Sequence, residues 1–263
     1  TKKLGSLTER ERSMAMFVLV PGAWIGGWVW ADVARELRRQ GHDVYPLTLT
    51  GLGERAHLAG PSVDLDTHVN DIVGLLTFED LQGVVLVGHS YAGAPVTGAA
   101  DRATDRLATV VYVDSGPLFD GGAYIDMQPP PLRELIERRV AEEGDGWRLP
   151  MQSWVEIESM NGASLDGLDE ERRAHIRDRA VPHPFATYNQ PLQLKNPDRT
   201  KLPHVLVSNG FPVAQVKELI ASGHPWFAEL AGPQWSFVEL LTSHWPMFSA
   251  PKELADALVA IAR

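Results

Sequence analysis

Short apolar runs alternate along this chain with stretches whose apolar residues recur every three or four positions. FVLV (17–20), HDVYPLTL (42–49), VVLVG (84–88), TVVYVD (109–114), HVLVS (204–208) and WSFVELL (235–241) read as strands. Between them, WVWADVARELRRQ (28–40) places Val29, Val33 and Leu37 at helical spacing and meets Gly41 at its end. LDTHVNDIVGLLTFED (65–80) sets Val69, Ile72, Val73 and Leu76 on one face, and another helix is expected to begin at or near Ser90. PKELADALVAIA (251–262) closes the chain as an amphipathic helix with Pro251 in its first turn. Strands that are apolar throughout, alternating with helices, predict an α/β fold: a mostly parallel central sheet with helices on both faces.

Residues 115–203 break this rhythm. They hold Pro-Pro-Pro at 129–131, helical segments near 132–143 and 169–180, scattered aromatics and no convincing buried strand. The expected organisation is therefore a core of residues 14–114 and 204–263, with 115–203 inserted as a mainly helical cap over the sheet. Residues 1–13 read as a charged tail of native or artificial origin, with Met14 or Met16 as the expected start.

Composition narrows the chemistry. With 263 residues, 44% of them hydrophobic and 22% charged, the chain can bury a full core. A net charge of −10 argues against nucleic acid or an anionic membrane as partner, and no apolar run reaches the roughly 20 residues of a membrane span. There are no cysteines, which excludes disulfides, thiolate catalysis and Cys-based metal sites and fits a cytoplasmic location. GLGERA (51–56) matches a dinucleotide fingerprint, but Gly60-Pro61 cuts off the helix that would bind the pyrophosphate, so it reads as a pocket-edge loop. No P-loop and no metal-ligand spacing is apparent, and neither a metal nor a cofactor is expected.

GVVLVGHSYAGAP (83–95) places Ser90 where a buried strand must turn sharply into a helix, flanked by Gly88, Ala92 and Gly93. A sharp turn lifts a serine hydroxyl clear of the sheet and aims helix-start N–H groups at a reacting carbonyl, and only small residues fit around it. A serine that merely caps the helix is the alternative. His89, beside it, is expected to pack or hydrogen-bond locally. The base expected is His244, on the loop between the last strand and the last helix, unless it is only a satisfied loop histidine; the other histidines, His224 among them, lack that placement. The usual acid position, the loop SNGFPVAQVKE (208–218), has no carboxylate before Glu218, so Asp114, at the end of the strand after the nucleophile, is the expected acid, ahead of Asp120 and Asp126. Asp114 could instead cap the entry to the insertion. Oxyanion donors are expected from the backbone of Tyr91 and of Ala23, with Trp24 second, in the glycine-rich loop LVPGAWIGGW (19–28). Tyr124, Trp147, Trp154 and Trp245 are the expected walls of an apolar substrate pocket.

VPGAWIGGWVW, GHDVYPLTLTGLGE, GHSYAG and SHWPMFSAPKEL together resemble the α/β-hydrolase superfamily, over nearly the whole chain from residue 16. The likeness is greatest to the branch of methyl-salicylate esterases, hydroxynitrile lyases and pyrethroid-type carboxylesterases. This resemblance implies a serine hydrolase acting on an apolar carboxylic ester or lactone, as a monomer or homodimer. Two features depart from the branch. Pro21-Gly22 stands where His-Gly is usual, and Asp114 sits where haloalkane dehalogenases and zearalenone-type lactonases place their acid. Ser90 in place of an aspartate nucleophile argues against dehalogenation and epoxide hydrolysis. Trp245 occupies the place of the cyanide-holding lysine, which argues against cyanohydrin cleavage. A ligand receptor with vestigial hydrolysis, or a cofactor-free C–C hydrolase, lyase or oxygenase, are the other readings the scaffold allows.

Overall fold

The computed structural model of the chain describes residues 14–161, 163–223 and 225–263; the tail expected over residues 1–13, and His224, lie outside them. The strands are β1 (Met16–Val20), β2 (Asp43–Pro46), β3 (Val84–His89), β4 (Leu107–Val113), β5 (Arg148–Leu149), β6 (His183–Pro184), β7 (His204–Ser208) and β8 (Trp235–Glu239). Six of them form one sheet in the order β2-β1-β3-β4-β7-β8, every neighbouring pair parallel. The helices are α1 (Ala31–Arg39), α2 (Leu65–Phe78), α3 (Gly93–Arg102), α4 (Pro130–Glu143), α5 (Trp154–Asn161), α6 (Glu170–Arg179), α7 (Ala186–Asn189), α8 (Val213–Ala221), α9 (Pro246–Ser249) and α10 (Pro251–Ile261).

The apolar strands have to bury both faces, and alternate residues show how. Val84 and Leu86 of β3 enter one core, with Val69 and Ile72 of α2 and Val96 and Ala99 of α3. Val85 and Val87 enter the other, with Val33 and Leu37 of α1 and Leu254 and Leu258 of α10. Helix α3 is buried from Gly93 to Asp101, so its run of glycine and alanine is a packing requirement. A Cβ at Gly93 would lie 2.3 Å from the Gly116 carbonyl oxygen, which leaves glycine as the residue that fits.

Chain order within the sheet sets where a ligand can bind. From β1 the chain crosses to β2 on one side and returns as β3 on the other, so the loops after β1 and β3 diverge and leave a crevice at the carboxyl ends. The expected strand over 42–49 stops at Pro46, because the polar groups that follow bond to loops: Gly27 N–H donates to the Thr48 hydroxyl, and Thr50 N–H donates to Asp71. The prolines at 130 and 131 start α4 two residues earlier than expected, in the first turn where they leave no donor unpaired.

The insertion between β4 and β7 is mainly helical, carrying α4 to α7, and it also contains what its sequence did not reveal. β5 and β6 form a two-stranded antiparallel sheet, pairing Leu149 with His183. Two residues per strand are too few to display a period, which is why this stretch lacks a strand signature. Leu86, fully buried at the centre of the sheet, tests the packing. Leu86→Ala is expected to lower the unfolding free energy by about 2–5 kcal/mol, read from the urea midpoint with the slope unchanged.

Candidate active site

Among the described residues, five that are not glycine adopt the left-handed backbone region: Trp24, Asp80, Ser90, Asp114 and Asp145. Three of them, Trp24, Ser90 and Asp114, line one cavity of about 320 Å³ at the carboxyl end of the sheet. Such backbone costs about 1–3 kcal/mol at each residue and persists where the surroundings over-determine it. Ser90 (φ 53°) directly follows β3 and opens the turn into α3, the sharp bend that its flanking small residues imply. Asp114 (φ 44°) follows β4 directly. His244 stands on the loop between β8 and α9. The cavity gathers all three, together with Ala23, Tyr124 and Trp245.

The His244–Asp114 pair is tightly built. His244 Nδ1 lies 2.6 Å from Asp114 Oδ2, and a carboxylate can only accept, so Nδ1 carries a proton and the lone pair of the neutral ring is on Nε2. Asp114 Oδ1 accepts from the backbone N–H of Gly210 at 3.1 Å and of Asn209 at 3.3 Å. Burial pushes this carboxyl up, but the bonds from His244 and Gly210 together outweigh it and hold Asp114 below the ordinary carboxylate range. The loop after β7, where an acid is usual, thus supplies amide donors to a carboxylate from β4.

His89 departs from its expected local role. Its Nε2–H reaches across 155 positions to the His244 carbonyl at 2.6 Å, while the His244 N–H donates to the Ser164 carbonyl at 2.7 Å. The His244 loop is therefore pinned from both sides of one residue. The loop after β1 runs close beneath: a Cβ at Gly22 would sit 3.0 Å from His89 Nδ1 and 3.1 Å from Ser90 Cβ, so the backbone approaches the serine only because residue 22 is glycine.

Several expectations for the pocket need correction. Trp24 lines the cavity, but its N–H donates to His183 Nδ1 at 3.3 Å, so it is not free to serve an oxyanion. Ala23 remains in the wall beside Ser90, and Tyr91 follows Ser90 with its side chain buried. Tyr124 and Trp245 do line the cavity, and burial raises the Tyr124 phenol to about 12 although the nearby Ser90 and Gln128 side chains pull it down. Trp147 does not line it, because its ring lies under the Arg148 guanidinium, 5.1 Å away. Trp154 does not either: it packs edge-to-face behind Trp245 at 5.1 Å, where it supports the wall. The GLGERA loop is not in the wall. Its Arg55 bonds the Thr48 carbonyl and the Thr50 hydroxyl, and its Gly53 packs against Gly26.

Sequence reasoning missed a buried polar cluster behind the cavity. His68 Nδ1 is 2.9 Å from the Tyr91 hydroxyl and its Nε2 2.8 Å from the Thr50 carbonyl. His183 lies 4.5 Å from the Tyr91 ring, and Tyr188 stacks on Tyr91 at 5.3 Å with the rings 3° from parallel. No local motif marks these residues, since only the folding of the insertion onto the core brings them together. Among the described residues there is no group of three or more His, Asp or Glu placed to hold a metal, and no helix is long and apolar enough to cross a membrane.

Burial keeps several histidines neutral, which gives the fold an acid sensitivity. Desolvation lowers His89 to about 3 and both His68 and His204 to about 4. In the unfolded chain each returns to about 6.5 and takes up a proton that the folded state refuses. This stability is therefore complete above pH 6.5 and lost as pH falls toward 4, by up to about 1.4 kcal/mol per pH unit for each histidine. Urea midpoints should drop steeply between pH 6.5 and 4.5; a flat profile would contradict the burial of these rings.

Comparison with known proteins adds a family to this geometry. A model described as "Alpha/beta hydrolase family" matches residues 17–257. A carbendazim hydrolyzing esterase from Nocardioides sp. (strain SG-4G) is 34% identical over 255 residues, covering 94% of this chain and 100% of that one. Methylesterase 18 of Arabidopsis thaliana is 25% identical over 263 residues, covering 94% of this chain and 96% of the relative. Among solved structures, an extracellular alpha/beta-hydrolase from a Paenibacillus species, described as sharing structural and functional homology with tobacco Salicylic Acid Binding Protein 2, matches with a TM-score of 0.76. It is 23% identical and covers 94% of this chain and 98% of its own, a likeness that speaks for the fold alone.

Proposed function

The chain belongs to the alpha/beta hydrolase family, and on that premise we propose that it is a serine esterase working through an acyl-enzyme. The observation that carries this reading is the convergence, in one cavity, of Ser90 on its strained turn and the His244–Asp114 pair. His244 Nε2 takes the Ser90 proton as Oγ bonds to the ester carbonyl carbon, and Asp114 stabilises the imidazolium that forms. The N–H groups of Ala23 and Tyr91 receive the oxyanion. Collapse of the tetrahedral species breaks the bond to the leaving alkoxide, which takes the proton from His244. Water then adds to the acyl carbon by the same route, returns the proton to Ser90 and frees the acid.

The substrate is a small, largely apolar ester or lactone. Tyr124, Trp245, Leu118, Ile136 and Phe227 give the cavity an apolar lining, with Gln128 and Gln152 as polar points. The insertion, taken as residues 115–203, supplies most of these walls and acts as the cap domain. Carbendazim, which the Nocardioides relative is named for hydrolysing, is the first compound to assay.

Ser90→Ala should lower kcat by roughly 10⁴-fold or more. Asp114→Asn should cost about 10⁴-fold, because the imidazole loses the partner that fixes its tautomer. Asp120→Asn should stay near wild type, since Asp120 caps the exposed Leu194 amide instead. Steady-state kinetics on an activated aryl ester read all three; retention of turnover by Ser90→Ala, or a larger loss at position 120 than at 114, would refute the assignment.

A further inference from the structure

We infer that His183, from the cap, is a positioning residue for both backbone donors of the oxyanion hole, an inference that rests on the acyl-transfer reading above. Trp24 follows Ala23 and has φ 68°, a conformation a tryptophan adopts only when held. Three hydrogen bonds hold it, and all three partners belong to the insertion. Its N–H donates to His183 Nδ1 at 3.3 Å, its indole N–H to the Leu149 carbonyl at 2.9 Å, and its carbonyl accepts from the Val181 N–H at 2.9 Å. Leu149 and His183 are one of the two residue pairs of the two-stranded sheet. The small sheet is therefore a clamp on Trp24. Because the Trp24 N–H lies in the peptide that follows Ala23, fixing it fixes the orientation of Ala23.

The other donor is anchored in the same place. The Tyr91 ring lies 4.5 Å from His183 and 5.8 Å from His68, and its hydroxyl bonds His68 Nδ1. The protons in this cluster have one consistent arrangement. His68 Nε2 faces the Thr50 carbonyl and must donate, so its Nδ1 accepts from the Tyr91 hydroxyl. His183 Nδ1 accepts from Trp24, so its Nε2 donates to the Thr187 hydroxyl, which donates to the Pro184 carbonyl. Burial, reinforced by the nearby His68, lowers His183 well below its ordinary value and so preserves the lone pair that Trp24 needs. His183 is in contact with the supports of both donors and does not line the cavity, so it acts on the reaction through them.

Three variants of the full chain test this. His183→Phe keeps an aromatic ring and loses the acceptor; His183→Asn places a carbonyl oxygen near the Nδ1 position; Thr187→Val removes the partner of Nε2–H. With an activated aryl ester, His183→Phe should lower kcat by about 10- to 100-fold with KM within about twofold, the size of effect a misplaced catalytic group produces. Affinity for a trifluoromethyl ketone, whose hemiketal oxyanion occupies the hole, should fall by the same factor. His183→Asn should recover most of both losses, and Thr187→Val should show a smaller loss of the same kind. A folded His183→Phe with wild-type kcat and ketone affinity, or an Asn variant as impaired as Phe, overturns the inference. If His183→Phe does not fold, wild-type kcat and ketone affinity in Thr187→Val overturn it. Labelling of wild-type Ser90 by a fluorophosphonate separates the two levels: without labelling at Ser90 the acyl-transfer reading fails and this inference falls with it, whereas labelling with unchanged variants refutes the inference alone.

Discussion

Parallel strands leave a sheet on the same side, and in this molecule that constraint governs everything above it. β1, β3, β4, β7 and β8 all deliver their following residues to one edge, so five segments distant in sequence must share one small volume. The apolar content of the strands enforces the arrangement, because each needs helices on both faces and only crossover connections provide them. Residues placed just beyond the strand ends then meet without any local sequence bringing them together.

The price of that convergence is crowding, met in two ways. Glycine admits backbone where a side chain would collide, as at residue 22 under Ser90 and residue 93 against the start of the insertion. Elsewhere a larger residue is forced into left-handed backbone and held by bonds, as with Asp114 between His244 and the Gly210 amide. Its carboxylate, at the end of β4, reaches the His244 imidazole, and the loop after β7 contributes the N–H groups that hold it.

Much of this was legible in the sequence because it depends on strand ends and on short-range sterics. The apolar runs located six core strands, and the small residues around Ser90 could be understood as a tight turn. The lack of an early carboxylate in 208–218 led to Asp114. What escaped has a common physical origin. His89 reaches the His244 carbonyl, and the Trp24 amide is taken by His183, through contacts spanning 155 and 159 positions with no periodic trace. Trp147 and Trp154 look like pocket walls by composition, yet neither lines the cavity: the Trp147 ring meets the guanidinium of the adjacent Arg148, and Trp154 packs on Trp245. Strand pairs of two residues leave no alternation to detect.

The three-point attachment of Trp24 also bears on how molecules enter and leave. Swinging the insertion aside as a rigid lid would break all three bonds at once and release a residue from a conformation it cannot keep alone. Phe211, by contrast, belongs to the lining and is still 44% exposed, so part of the wall borders solvent while the insertion stays in place. Rotation of one exposed side chain, an event on the picosecond-to-nanosecond scale, breaks none of the three bonds that hold Trp24.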